Sequence, residues 1–126
     1  MPAAAAITLK NNAATNVTFD VYSVNPDSVE YIESGATSIL GTSRAVLSRK
    51  IPADKANGVY RIGGKITRPV VNSTTGALDG TVTGTFEILR PAKLSVAEVD
   101  ELVARFKELV GQSIVKTAAE SGAIPT

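Results

Sequence analysis

The side chains able to do chemistry in this 126-residue sequence are few and nearly all of one kind. Histidine and cysteine are both absent, which removes the usual general base near neutral pH, thiolate nucleophiles, disulfides and the common Cys and His metal ligands. The acids do not replace them. Asp100 and Glu101 fall in the first turn of a predicted helix, where the dipole favours carboxylates whatever the function. Ser48-Arg49-Lys50 offers a hydroxyl without a base to activate it, and Gly63-Gly64 lacks the strand-then-helix context of a phosphate-cradling loop. The sequence therefore predicts no enzyme, no cofactor, no metal and no small-molecule substrate. What remains is positive charge. Residues 41–70 hold seven Lys or Arg against Asp54 alone, while residues 1–40 hold one Lys against four acids, in a chain of net charge +1. Such a block suits a surface that meets a polyanion, although on its own it is equally a solvated strand face.

The elements decide between those readings. Residues 7–10 and 17–24 flank the turn-rich NNAATN and predict a hairpin over 5–24. In its second strand Val17, Phe19 and Val21 alternate with Thr18, Asp20 and Tyr22, the period of two that marks a half-buried strand. A sheet is predicted over 28–90. Val29 and Tyr31 oppose Glu30 and Ile32 across SVEYIES. In GTSRAVLSRKI, Ala45, Leu47 and Ile51 oppose Arg44, Ser48 and Lys50, with Val46 and Arg49 blurring the alternation. In VYRIGGKITRP, Tyr60, Ile62 and Ile66 oppose Arg61, Lys65 and Thr67. Gly63-Gly64 in mid-strand predicts a bulge, or a place where another backbone comes close. VNSTTGALDG (71–80) reads as an exposed loop. The last strand sets Val82, Phe86 and Ile88 against Thr81, Thr83, Thr85 and Glu87. One polar, basic sheet face results, free to meet phosphates if the other face is covered, and with no aromatic platform beside its cations.

At Pro91 the period changes to that of a helix. Ser95 with Glu98 makes a capping box, and Val99, Leu102, Val103, Phe106 and Leu109 form one apolar stripe up to a break at Gly111. A second, shorter helix follows and ends at Gly122, with Pro125 beyond, placing the helices over 95–121. Strands followed by helices predict an α+β domain spanning 1–126, with the helices on one side of an antiparallel sheet. A fifteen-residue helix covers only about 20 Å, against roughly 24 Å for the width of five strands. A second copy of the chain supplies the missing cover, so the stripe is the predicted dimer interface. MPAAAAITLK has neither a basic start nor a long apolar run, so neither export nor a membrane span is predicted and the expected compartment is the cytoplasm.

The order VEYIES, VYRIGGKITRP, polar loop, FEILRP, helix and KTAAESGAIPT resembles the coat proteins of single-stranded RNA bacteriophages, the levivirus type, over nearly the whole chain. That resemblance implies an N-terminal β-hairpin, a five-stranded antiparallel sheet and two C-terminal helices that pack on the dimer partner's sheet. It implies homodimers that build an icosahedral shell in the bacterial host cytoplasm, a virion location, and a single-stranded RNA genome against the inner sheet face. It also implies an RNA-side set of Arg44, Ser48, Lys50, Arg61, Lys65, Thr83, Thr85 and Glu87, to which the strand pattern adds Thr67. The 71–80 loop would gather at the fivefold and quasi-sixfold positions. Members that read an RNA hairpin as translational repressors stack a base on an aromatic ring of the last strand, where this chain has Thr83 and Thr85. A non-viral, dimeric sheet protein that binds single-stranded nucleic acid fits the same residues, as does a purely structural oligomer with an incidental basic face.

Overall fold

Alternation of apolar and polar residues over most of the first ninety positions leaves the backbone little choice but extended strands. In the computed structural model, which describes residues 4–35 and 40–124, these are β1 (Ile7–Lys10), β2 (Asn16–Asn25), β3 (Ser28–Glu33), β4 (Arg44–Lys50), β5 (Val59–Val71) and β6 (Leu78–Pro91). They form one antiparallel sheet in chain order, β1-β2-β3-β4-β5-β6. The expectation of a hairpin beside a five-stranded sheet is thereby corrected. β2 pairs with β3 from Phe19↔Glu33 to Asn25↔Ser28 as well as with β1, because its apolar residues lie on the same side as those of β3, so the hairpin joins the sheet as part of six strands. The sheet curls: Leu9, Val17 and Phe19 from its first strands share a concavity of about 620 Å³ with Ile66, Arg68 and Pro69 from β5.

Helices α1 (Val96–Val110) and α2 (Ser113–Ser121) follow, within a residue of the expected bounds. Ser95 caps α1 by accepting from the Glu98 amide at 3.4 Å, and Gly122 closes α2 at φ +75. Pro125 lies outside the described residues. None of the described helices is long and apolar enough to cross a membrane.

The connections are built by local side-chain hydrogen bonds. Between β4 and β5, Asp54 accepts from the amides of Ala56 and Asn57 at 3.0 and 3.1 Å, and these bonds hold its carboxyl below the ordinary value. Gly58 completes that turn, where a Cβ would strike Pro52 and the Asp54 carbonyl. Between β5 and β6 the expected ten-residue loop is shorter than 71–80. Val71 and Leu78 are already paired strand residues, and only residues 72–77 turn. Asn72 organises them, accepting on its side chain from the amides of Thr74 and Thr75 at 2.8 and 3.1 Å, while Gly76 takes φ +72.

Gly63 and Gly64 do not make a bulge, since the register runs unbroken through both on either side. Gly64 lies opposite Phe86, and a Cβ there would fall inside the Phe86 ring. The ring lies over the bare glycine, so the close approach comes from a side chain rather than from another backbone. The sheet's irregularities lie elsewhere, in β2, where pairing with β3 shifts between Val21 and Ser23, and at the end of β5, where pairing with β6 shifts between Val70 and Val71.

Most of the apolar surface is uncovered. Only Phe19 and Tyr31 are buried hydrophobics among the described residues. Leu47, Ile62, Ile66 and Val82, all expected to face inward, stand 37 to 68% exposed. On α1, Leu102, Val103 and Leu109 are exposed, and Phe106 reaches Phe86 of its own sheet, ring centres 6.1 Å apart. The accessible surface is 9434 Å². A compact monomer of this mass would have about 6,400 Å², so roughly 3,000 Å² is in excess.

Candidate nucleic-acid interface

Strand register alone determines which side chains share a face, because directly paired residues point the same way. Four cross-strand rows bring together four of the seven cations of the basic block. Arg44 pairs with Thr67 and Thr67 with Thr83; Ser48 pairs with Gly63 and Gly63 with Glu87; Lys50 pairs with Arg61. Between them, Val46 pairs with Lys65 and Lys65 with Thr85. All nine expected residues, Arg44, Ser48, Lys50, Arg61, Lys65, Thr67, Thr83, Thr85 and Glu87, therefore lie on one face of three adjacent strands. All but the half-buried Thr67 are exposed. At about 4.8 Å per strand and 3.3 Å per residue the patch measures roughly 10 by 20 Å. Its centre is a shallow depression of about 690 Å³ with Gly63 on its floor and Ser48, Lys50, Arg61, Lys65 and Thr85 around it.

The charges on this patch are unequal. Arg44 donates to Glu30 at 3.0 Å and Arg61 to Glu87 at 3.1 Å, so both guanidinium groups are partly neutralised and oriented. Glu87 thus acts on this face as an acceptor for Arg61. Among the described residues no carboxylate forms an ion pair with Lys50 or Lys65. Lys50 is moreover directly opposite Arg61, a like-charge pair that costs the sheet stability and is relieved when an anion sits between the two. The patch can thus hold phosphates by charge, with hydroxyls of Ser48, Thr83 and Thr85 as additional donors. No group of three potential metal-ligating side chains occurs among the described residues.

Two residues depart from the alternation-based placement. Arg49 pairs with Ile62 on the apolar side and is drawn to the β2–β3 turn, donating to Asp27 at 3.2 Å and to the Pro26 carbonyl at 3.1 Å. Its charge is not part of the patch. The expectation that no aromatic ring stands near the cations is corrected by Tyr22, whose ring centre is 5.2 Å from the Arg44 guanidinium carbon. Alternation in β2 already puts Tyr22 on the polar side; what the sequence does not show is that β2 joins the sheet and so brings that ring beside β4.

The five residues expected at a dimer interface, Val99, Leu102, Val103, Phe106 and Leu109, all lie on α1, and none of them is buried by the rest of the chain. No protein-family profile and no curated protein matches the sequence. Solved structures do match. The chain is similar to the virus-like particle of Beihai levi-like virus 21 at 22% identity and TM-score 0.86, covering 99% of both chains. It is similar to the virus-like particle of bacteriophage ESE058 at 16% identity and TM-score 0.85, over 99% of this chain and 100% of that one. The bacteriophage GA capsid protein matches at 17% identity and TM-score 0.71, over 94% and 95%. The fold is that of these phage coat proteins from end to end.

Proposed function

We propose that this chain is a coat protein: two copies interlock, the dimers close into an icosahedral shell, and the polar sheet face lies inside against single-stranded RNA. The observation that carries the reading is the end-to-end match to chains that build virus-like particles. The surface excess supports the dimer independently. Roughly 3,000 Å² per chain, or about 6,000 Å² for two copies, is at the upper end of what obligate homodimers bury, and it includes the sheet's apolar face and the α1 stripe, which complement each other. A second copy laid across the first covers both at once. The long β6 strand, paired on one side only, gives the two sheets an edge along which to join.

The RNA reading rests on Lys50, Lys65 and the like-charge pair of Lys50 with Arg61. Charge of this kind binds phosphates without regard to sequence, which is sufficient for packaging a genome. Thr83 and Thr85 on the last strand offer hydroxyls and no stacking surface there, so hairpin-specific repression is not part of the proposal. The location that follows is the virion, with assembly in the bacterial host.

Electron microscopy of the recombinant protein tests the reading directly. Closed, uniform particles that retain nuclease-protected RNA are expected. Dimers that bind single strands but never form shells would favour the non-viral binding protein, and particles empty of RNA would favour a purely structural oligomer.

A further inference from the structure

Tyr22 is the one tyrosine that the fold does not use. Of the three in the chain, Tyr31 is 6% exposed within the core, and half-buried Tyr60 donates its hydroxyl to the Lys55 carbonyl. Tyr22 is 59% exposed. It occupies the irregularity where β2 slips against β3 between Val21 and Ser23, a feature that re-aims a side chain. Here the ring is brought to Arg44 on the charged face. Arg44 lies over it at 5.2 Å while bound to Glu30 at 3.0 Å. The guanidinium is thus held from one side by a carboxylate and covers one face of the ring, so the exposed area belongs to the ring's other face and edge.

We infer that Tyr22, backed by Arg44, is a stacking platform for one unpaired base of single-stranded RNA, distinct from the phosphate-holding patch of Lys50 and Lys65. This rests on the proposed RNA-facing role of the polar sheet face. Three observations meet at this point. An aromatic ring exposed on a charged face gains nothing from water, yet any nucleobase can stack on it. The cation behind it strengthens such a stack. The row running Glu30, Val46, Lys65 begins at the slipped segment of β2, so a strand whose base lies on Tyr22 passes its phosphates toward Lys65. The platform is tolerant of sequence and requires only an unpaired base.

Since the chain has no tryptophan and only Tyr31 and Tyr60 besides Tyr22, the difference in tyrosine emission between wild type and Tyr22→Phe reports on the site. The full-length protein is titrated with oligouridine and with the same sugar-phosphate strand lacking bases, following both affinity and emission, for wild type, Tyr22→Phe, Tyr22→Ala and the Lys50→Ala/Lys65→Ala pair. Quenching by oligouridine is expected in wild type and not in Tyr22→Phe, which keeps the ring and wild-type affinity. Tyr22→Ala should weaken oligouridine binding roughly tenfold and leave the abasic strand unaffected. If quenching is as strong in Tyr22→Phe as in wild type, or Tyr22→Ala binds oligouridine as wild type does while the lysine pair weakens both strands, the platform is wrong and the charged face stands. If the lysine pair binds both strands undiminished, the RNA-facing reading falls and takes the platform with it. Should Tyr22→Ala fail to fold, the quenching in Tyr22→Phe alone decides.

Discussion

Two adjacent glycines show how differently neighbouring positions are constrained. Gly64 carries the Phe86 ring on its bare Cα, so Gly64→Ala must displace that ring and, through it, the packing against Phe106; overpacking of this kind costs about 1–3 kcal/mol. Gly63 faces the other way, where a methyl would meet the rotatable Ser48 Oγ at 3.2 Å and the Phe86 carbonyl at an ordinary 3.8 Å, and Gly63→Ala should leave the denaturation midpoint close to wild type. Equal destabilisation of both variants on chemical denaturation would contradict the assignment of the ring to Gly64. The charged residues divide in the same manner. Removing Lys50 and Lys65 should flatten the salt dependence of RNA affinity more than removing Arg44 and Arg61, because the arginines already have Glu30 and Glu87 as partners. Each phosphate that is no longer neutralised lowers the slope by roughly 0.7 on single strands, and titrations at several salt concentrations measure it.

At the scale of elements, period is the reliable signal. Strand alternation places all nine polar-face residues together, and the step of three and four places the α1 stripe, because each depends only on local geometry. The sequence misleads where a tertiary partner decides the outcome. Whether β2 belongs to the sheet depends on its pairing with β3, and Gly63-Gly64 reads as a bulge because the ring of Phe86 is twenty-two residues further on than Gly64. The β5–β6 loop is shorter than its composition suggests since Asp79 and Gly80, turn-formers by type, are held in β6, where Gly80 pairs with Val70. The six residues that do turn are organised by Asn72 rather than by the sheet. Deleting two or three of them should therefore leave dimers intact in sedimentation while changing or abolishing particles under the microscope. Absence of the dimer as well would make the loop part of the fold rather than of the junctions between dimers.

For the whole molecule the governing fact is uncovered apolar surface. Phe106 touches Phe86 within its own chain, but the rest of the α1 stripe is uncovered, and in the proposed dimer a second copy covers it. Phe106→Ala should cost on the order of 3–5 kcal/mol once that copy is in place. With folding and association coupled, the effect appears as a shift of the unfolding midpoint that depends on protein concentration, and assembly should fail with it. Sedimentation that finds a stable, folded wild-type monomer at micromolar concentration would remove the basis for the interlocked dimer.

Because each strand lies beside its predecessor in sequence, no pairing in the sheet has to wait for a distant part of the chain. Closing each successive hairpin is entropically cheap, and pairing between sequence neighbours favours rapid folding. The helices emerge from the ribosome after the strands, which are by then already free to pair. For the proposed dimer, the order of events this favours is a sheet first and a partner second. Refolding should show a fast rise of β-sheet signal whose rate ignores protein concentration, then a slower phase, proportional to concentration, in which apolar dye binding disappears. A single concentration-dependent phase carrying both signals would mean that the two chains must meet before either sheet can form.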